Sequence, residues 1–291
     1  AGVREQHWDA VAEGYMLKDV EVEALSRAWR TFLDEAPAYP GPSAFRGRGI
    51  AIMSGGLRFM VPAWVNVAML RRLGSRLPVE MWVGEHEVPP VGLQRDLAAL
   101  GVTVRNIDEV SLMGGGGLLS GFQLKVFAAM FSRFEEVLLL DADNVPMSDP
   151  ELLFESEGYN ETGAVFWPDF WKGSASPDLF RVHPMPDSAR EAVEEHTYES
   201  GQVLVDKRRG WRPLLLTLWF NMLPGVYHRL VSNYIGQGDK ETYAYAWAAL
   251  GQRFHVVGYP VKSVGRMQSY NESCVLGQSF RGTTMAQHHP D

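Results

Sequence analysis

The feature that most constrains the fold is an alternation of short apolar segments with segments of helical periodicity. Strand-like runs occupy residues 49–54, 79–83 and 102–107, and the intervening segments 61–73 and 93–100 repeat apolar residues at helical spacing. A βαβαβ order of this kind predicts an α/β fold, with a mainly parallel sheet flanked by helices. In such folds ligands collect at the carboxyl ends of the strands.

A fourth predicted strand, 136–140, follows an amphipathic helix at 122–131 and stops at two aspartates, Asp141 and Asp143. Residues two apart in a strand point to the same side, so both carboxylates are expected to face one point. Like charges this close repel unless a cation lies between them. Mn²⁺ or Mg²⁺ suits carboxylate oxygens and shares its shell with phosphates. A solvated turn is the alternative, because Asp and Asn are common after strands.

The second half of the chain is less regular. It contains predicted strands at 164–167, 202–205, 254–257 and 260–264, and predicted helices at 211–234 and 240–250. We interpret it as an α+β half that closes a site over the first half. Residues 1–43 are expected to form a helical lead-in that ends in a Pro/Gly-rich linker, and 44–291 a single catalytic domain.

Composition excludes several classes of protein. The 291 residues include 27 Lys and Arg against 35 Asp and Glu, a net charge of −8, and no long basic cluster, so nucleic acid is not an expected partner. No apolar run approaches the ~20 residues that span a bilayer. Cys274 is the single cysteine and lacks the companions of a zinc site. The glycines at 114–117 indicate a flexible connection, because no phosphate-loop motif surrounds them.

Several motifs in fixed order carry a family resemblance: GFQLK at 121–125, FEEVLLLDADNVP at 134–146, ESGQ at 199–202, GDKET at 238–242 and TMAQH at 284–288. Shorter matches are EMWV at 80–83 and FWPD at 166–169. Together they resemble nucleotide-sugar glycosyltransferases of the GT-A fold with a DxD motif. More narrowly, roughly residues 48–289 resemble the fungal-type Golgi α-mannosyltransferase family.

The resemblance implies a metal-dependent, retaining glycosyltransferase that moves mannose from GDP-mannose to a glycan acceptor, with Mn²⁺ or Mg²⁺ as cofactor. It also implies a place in the Golgi lumen, with a membrane anchor outside this sequence. Two alternatives stay open: a UDP-sugar-dependent retaining transferase, and a catalytically silent sugar- or nucleotide-binding module. A nucleotidyltransferase is disfavoured, because no G-x-G-T-R-L-type segment follows the first strand.

The resemblance also assigns residues to the donor. Ser54, Gly55 and Gly56 would lie against the nucleotide, although a plain strand-to-helix turn also explains the glycines. Lys125 would offset the phosphate charge, or be an exposed helix lysine. Asp141 and Asp143 would hold the metal. His288 would complete the metal shell, or be a frayed terminal residue.

On the reacting side, the resemblance places Glu199, Gln202 and Asp239 near the sugar. A polar turn would equally explain the first two, and a helix N-cap the third. Trp167 and Asp169 would bind a sugar, with Phe170 and Trp171 as further stacking candidates. Ordinary core packing is the alternative for these aromatic residues.

Overall fold

The structure is a computed structural model that describes residues 15–108, 123–169, 172–232 and 238–258, and the backbone of 268–270 and 273–275. The predicted α/β fold is confirmed. The strands are β1 (Arg48–Met53), β2 (Val79–Val83), β3 (Val102–Asn106), β4 (Glu136–Asp141), β5 (Ala164–Pro168), β6 (Tyr198–Asp206), β7 (His255–Val256), β8 (Gln268–Tyr270) and β9 (Ser273–Val275).

Strands β1 to β7 form one mixed sheet in the order β3-β2-β1-β4-β6-β5-β7. β1 pairs in parallel with both β2 and β4, and β2 pairs in parallel with β3. β6 runs antiparallel to its neighbours β4 and β5, and β7 pairs in parallel with β5. The connections from β1 to β3 therefore proceed in one direction, and β4 returns to the other side of β1. This reversal between β1 and β4 is a topological switch point, where ligands of α/β proteins bind.

Helices cover both faces of this sheet. They are α1 (Asp19–Glu35), α2 (Gly56–Arg72), α3 (Val91–Ala99), α4 (Leu124–Phe131), α5 (Glu157–Thr162), α6 (Pro177–Val182), α7 (Asp187–Glu194), α8 (Lys207–Met222), α9 (Pro224–Ser232) and α10 (Thr242–Ala249). Side chains alternate between the two faces along a strand, so each strand contributes to two cores.

The two cores lie on opposite faces of the sheet. Ile50 and Leu138 pack with the apolar face of α2 and with α3. Their sequence neighbours Ala51 and Val137 belong to the other core, with residues of α1, α4, α8 and α10. Burial of both faces explains why the sequences of β1 and β4 are mainly apolar runs rather than alternating ones; β2 is buried on both faces as well but includes the buried Glu80.

The observed elements differ from the predicted ones at two instructive places. The predicted helix 211–234 is two helices, α8 and α9, which meet at Leu223 and Pro224. Proline disfavours helical geometry in the preceding residue, so a helix ends there. β6 begins at Tyr198, four residues before the predicted strand, because a polar Glu-Ser-Gly segment at its start hides the apolar pattern. The predicted strand 260–264 and the glycines 114–117 lie outside the described residues.

Helix α1 packs against the end of α6. The Trp29 indole and the Ser26 hydroxyl both donate hydrogen bonds to the Val182 carbonyl, and the Trp29 ring stacks on His183. The division into a lead-in and one catalytic domain stays a prediction. Within the described parts of the chain, none of the helices has both the length and the apolar character needed to cross a bilayer.

Candidate active site

Polar residues gather at the sheet edge where β1, β2 and β4 end. Met53 pairs with Asp141 across the last position of β1 and β4, which brings Ser54 and Asp141 to neighbouring strand ends. Because β6 is antiparallel, its beginning lies at this same edge. The edge therefore runs from β2 through β1, β4 and β6 to the end of β5, with the switch point between β1 and β4.

Buried amides hold the turn that follows β4. The Asn66 side chain, on α2, donates from Nδ2 to the carbonyls of Asp141 at 3.2 Å and Asn144 at 2.8 Å. The Asn144 side-chain amide in turn donates to Oε1 of Gln202 on β6. Gln202 is completely buried, so its side chain supports this turn from behind. These bonds fix the backbone that carries Asp141.

The two aspartates of this turn present hard oxygen ligands at an open position. The Asp141 side chain is 29% exposed, and Asp143 is exposed one residue beyond buried Ala142. Among the described residues, no group of three or more His, Cys, Asp or Glu side chains could hold a metal ion. Carboxylate oxygens suit Mn²⁺ or Mg²⁺, which take their remaining ligands from substrate phosphates and water. The aspartates thus fit a metal that is shared with a bound diphosphate.

Lys125 links the turn to the C-terminal half. Its Nζ lies 2.7 Å from Asp141 Oδ1 and 3.8 Å from Asp239 Oδ1, and it donates to the Ser200 hydroxyl at 3.2 Å. Burial opposes protonation of the Lys125 ammonium, but the carboxylates of Asp239 and Asp141 outweigh burial and raise its pKa. Lys125 is therefore a fixed positive charge at the strand end rather than an exposed helix lysine.

Asp239 is buried beside this ammonium. Burial raises the pKa of Asp239 to about 6, with Lys125 opposing the shift and Asp141 adding to it. Its Oδ1 faces Lys125, while its Oδ2 makes no hydrogen bond within the described part of the chain. A buried carboxylate oxygen without a partner is costly, which suggests a ligand as its missing partner.

Asp239 is positioned by a chain of buried hydrogen bonds from three helices. The Thr242 hydroxyl donates to the Asp239 carbonyl and accepts from Asn221 Nδ2 at 3.0 Å. The Asn221 side-chain oxygen accepts in turn from His228 Nε2 at 2.9 Å. Asp239 precedes α10 without a side-chain cap on that helix, so the N-cap interpretation does not describe its contacts.

Glu199 lies at the start of β6 between two lysines. Burial raises the pKa of Glu199, Asp169 adds to the rise, and Lys125 and Lys240 oppose it. Its Oε1 accepts hydrogen bonds from the backbone amides of residues 200 and 201. A β-carbon at Gly201 would lie 3.1 Å from Asn144 Nδ2 and in ordinary contact, at 3.7 Å, with Asp141 Oδ2 and Glu199 Oε1, so this glycine packs closely against the turn that carries Asp141.

The opposite end of the edge lies at β1 and β2. Ser54 is completely buried, donates its amide to the Trp82 carbonyl at 2.9 Å and has a hydroxyl without a partner among the described residues. Gly56 has a φ of +67°, a conformation that favours glycine. A β-carbon at Gly55 would collide with the carboxylate of Glu87. Gly55 is the N-cap of α2 and Gly56 its first residue, so the strand-to-helix turn accounts for both glycines, and their contact with a nucleoside stays a prediction.

The remaining predicted residues fall into three groups. Asp169, just after β5, forms an ion pair of 2.6 Å with Lys240, close to Glu199. Trp167 is only 4% exposed and packs in the core, as the alternative interpretation expects. His288, Phe170 and Trp171 lie outside the described residues.

Sequence reasoning missed several residues of this site. Asn66 is a polar residue inside an apolar helix, and Asn144 directly follows the two aspartates, so each had a local signal. Lys240 and Glu241 lie within the GDKET motif but had no assigned role. Asn221, far away in sequence and within an apolar stretch, had no signal at all.

The fold and this edge define an α/β protein whose candidate ligand site lies at the topological switch point of the sheet. A family model described as "Mannosyltransferase putative" matches residues 47–194 and 185–289. The chain belongs to this mannosyltransferase family.

Curated relatives include fungal enzymes. Alpha-1,2-mannosyltransferase MNN21 of Candida albicans is 28% identical and aligns with 94% of this chain and 47% of its own length. Alpha-1,2-mannosyltransferase MNN2 of Saccharomyces cerevisiae is 27% identical over 92% of this chain and 50% of its own. The chain thus spans about half the length of the curated relatives it matches.

Solved structures with similarity to this chain include two glycosyltransferases. The mannosyltransferase Ktr4p of S. cerevisiae, in complex with GDP, matches with a TM-score of 0.44 and 11% identity over 85% of this chain and 82% of its own. The glycosyltransferase GlyE of Streptococcus pneumoniae matches with a TM-score of 0.46 and 14% identity, over 73% of this chain and 45% of its own.

Proposed function

We propose that this protein is a metal-dependent, retaining α-mannosyltransferase that transfers mannose from GDP-mannose to a glycan acceptor. The observation that carries the proposal is the position of Asp141. It ends β4 at the switch point of the sheet, beside the buried Lys125 and Asp239, in a chain of a mannosyltransferase family. We further propose that it acts in the Golgi lumen.

The nucleoside of the donor would lie at the ends of β1 and β2. The Glu87 carboxylate lies against Gly55 and Gly56, and the Ser54 hydroxyl, which has no partner among the described residues, can bond to the nucleoside. The Glu87 carboxylate, which accepts the Gly84 amide at 3.1 Å, has capacity left for ribose hydroxyls. The diphosphate then reaches the end of β4, one strand further along the edge.

Asp141 and Asp143, with His288 as a further candidate, would hold the divalent cation. When bound there, the cation would neutralise the charge that grows on the diphosphate as the sugar departs. The Lys125 ammonium would act on the same charge from the opposite side of Asp141. Its pairing with Asp141 and Asp239 keeps it protonated and fixes its place.

On the sugar, the carboxylates of Asp239 and Glu199 would face positive charge developing at the anomeric carbon. Lys125 opposes the rise in the pKa of Asp239, which favours the ionised form at neutral pH. With retention, the acceptor approaches the face from which the diphosphate leaves, and its hydroxyl proton passes to the departing phosphate oxygen. Asp239 therefore acts electrostatically, without becoming a covalent partner.

The test is GDP release from GDP-mannose in the presence of Mn²⁺, with UDP-glucose and UDP-galactose as rival donors. We expect GDP-mannose to be preferred, and Asp141→Asn to lower the rate by a factor of about 100 or more, because it removes metal and phosphate stabilisation. Asp96→Asn, at an exposed position of α3, is the matched control and should leave the rate unchanged.

A series of melting temperatures measured with different nucleotides tests binding of the donor separately from turnover. A ligand that binds the folded state raises the melting temperature, so GDP with Mn²⁺ should stabilise the protein more than UDP with Mn²⁺. A larger shift with UDP would refute the GDP assignment. Shifts with GDP but no turnover with a range of acceptors would identify a silent binding module instead.

A further inference from the structure

A second lysine–carboxylate cluster lies beyond the proposed reaction centre. Lys240 Nζ is 2.6 Å from Asp169 Oδ2, after β5, and 3.5 Å from Glu241 Oε1, immediately before α10. The Asp169 backbone amide donates to the Thr197 carbonyl at 2.7 Å, which fixes this residue beside the start of β6. We call Asp169, Lys240 and Glu241 the Lys240 cluster.

The cluster has unused capacity for hydrogen bonds. Glu241 is 1% exposed, yet neither of its carboxylate oxygens makes a hydrogen bond within the described residues. A buried carboxyl that keeps only one ion pair is costly to the fold. The side chains of Asp169 and Lys240 are 13% and 21% exposed, so the rim of the cluster is open to solvent. This combination favours a ligand that completes the hydrogen bonds.

Strand order gives the cluster its place relative to the donor. Along the sheet edge, Ser54 follows β1, Asp141 ends β4, Glu199 is the second residue of β6, and Asp169 follows β5. Neighbouring strands are about 4.8 Å apart, so the cluster lies roughly 10 Å beyond the strand of Asp141. If the nucleoside and diphosphate occupy β1 and β4, the transferred sugar lies near Glu199. The next group along the edge, at the cluster, is then the acceptor.

The charge of the cluster selects the class of ligand. Asp169 pairs with the Lys240 ammonium at 2.6 Å and Glu199 lies nearby, so the positive charge of the cluster is already balanced and a phosphate or another anion is disfavoured. Sugar hydroxyls both donate and accept, which lets one hexose ring bond to carboxylates and to an ammonium at once.

We propose that the Lys240 cluster is the acceptor subsite and that it binds the hydroxyl groups of a neutral hexose at the non-reducing end of a glycan. The inference rests on the proposed function, because that function sets the direction of the donor along the edge. Asp169 and Lys240 contact the sugar at the rim, and Glu241, beside Lys240, forms a hydrogen bond with a sugar hydroxyl once the sugar is bound.

The experiment separates the two substrates by kinetics, with methyl α-D-mannopyranoside as the acceptor probe and GDP-mannose as donor. Lys240→Met and Asp169→Asn should each raise the KM for the acceptor by about tenfold to a hundredfold, the effect of losing one or two charge-assisted hydrogen bonds. The KM for GDP-mannose should change less than about twofold, since no donor contact is removed. Lys240→Arg, which keeps the charge and the donors, should recover part of the acceptor affinity.

Lys18→Met removes a lysine from an exposed position before α1 and serves as the matched control, with both KM values unchanged. The melting temperature of each variant, with and without GDP and Mn²⁺, verifies the fold. Acceptor KM values within about twofold of wild type in both variants would overturn the inference. A rise in the KM for GDP-mannose alone would also overturn it, because the cluster would then belong to the donor sugar.

A second measurement keeps this inference distinct from the proposed function. Binding of methyl α-D-mannopyranoside by saturation-transfer NMR needs no donor and no turnover. If wild type transfers nothing but binds the sugar, and Lys240→Met abolishes the signal, the subsite stands while the proposed function fails. If wild type gives no signal in the presence of GDP and Mn²⁺, the subsite is refuted.

Discussion

At the scale of single residues, this site contains buried carboxyl groups whose ionisation lowers the stability of the folded protein. Burial raises the pKa of Glu241 to about 8, with Lys240 opposing the rise, and raises that of Asp239 to about 6. A carboxyl group whose pKa is raised by folding contributes stability below its unfolded pKa and loses it as the pH rises through the folded pKa. Such a cost is typical of residues kept for function.

The raised pKa of Glu241 leads to a prediction for the pH dependence of the unfolding free energy. The folded protein should keep a proton on Glu241 at pH 7 and lose it by pH 9, while the unfolded chain has none at either pH. Wild type should lose about 1 kcal/mol more unfolding free energy between pH 7 and pH 9 than Glu241→Gln, by the linkage between pKa and stability. Urea unfolding at the two pH values measures this difference.

The pH window avoids the buried histidines. Burial lowers the pKa of His183 to about 3 and that of His228 to about 4, so both affect stability as the pH falls below their ordinary pKa, not above pH 7. Glu151→Gln, at an exposed position, is the matched control and should follow wild type. Identical slopes for wild type and Glu241→Gln would show that Glu241 is already ionised in the folded protein at neutral pH.

At the scale of elements, the first residue of helix α10, Thr242, holds the preceding Asp239 next to Lys125. The Thr242 hydroxyl donates to the Asp239 carbonyl and accepts from Asn221 on α8, which itself is bonded to His228 on α9. Three helices thus converge on the backbone of one proposed catalytic residue. Because small displacements of a reacting group have large effects on rate, this arrangement predicts a sensitive position at Thr242.

Thr242→Val removes the hydroxyl and keeps the shape of the side chain. It should lower kcat by about tenfold to a hundredfold through displacement of Asp239, with little change in the KM for GDP-mannose. Thr242→Ser should restore most of the rate, because it restores the hydroxyl. Steady-state kinetics of GDP release provide both parameters.

Thr217→Val serves as the control for the loss of a buried hydroxyl. The Thr217 hydroxyl donates to the Pro213 carbonyl within α8 and contacts none of the proposed catalytic residues. If Thr217→Val and Thr242→Val reduce kcat equally, the effect is general to the helices, and the proposed positioning of Asp239 is wrong.

Elements also show what local sequence can and cannot predict. The apolar runs of β1, β2 and β4 are confirmed because strands buried on both faces need only local apolar residues. The single helix predicted at 211–234 is wrong, because its continuous apolar pattern hid the break at Pro224. The sequence analysis placed the start of β6 too late. The first residues of this strand are polar or glycine, as is common at functional sites, so they lack the apolar periodicity by which strands are predicted.

At the scale of the whole molecule, the site depends on contacts between distant parts of the chain. Asp141 and Asp143 could be singled out because both lie in one short run after an apolar strand. The pairing of Lys240 with Asp169, or of Asn66 with the turn at Asn144, joins residues about 70 to 80 positions apart, and no local periodicity encodes such pairs. Only the strand order of the sheet brings the proposed donor residues after β1 and β4, Glu199 and the Lys240 cluster to one edge.

The proposed function depends on a divalent cation that Asp141 and Asp143 hold and that tethers a donor diphosphate at the switch point between β1 and β4. The most direct measurement is an anomalous difference map at the manganese absorption edge, from crystals grown with Mn²⁺ and GDP. We expect one peak within about 2.2 Å of carboxylate oxygens of both aspartates, in contact with the diphosphate, as hard-cation coordination requires. GDP bound at β1 with no manganese at these aspartates, or a peak held by other side chains, would contradict it.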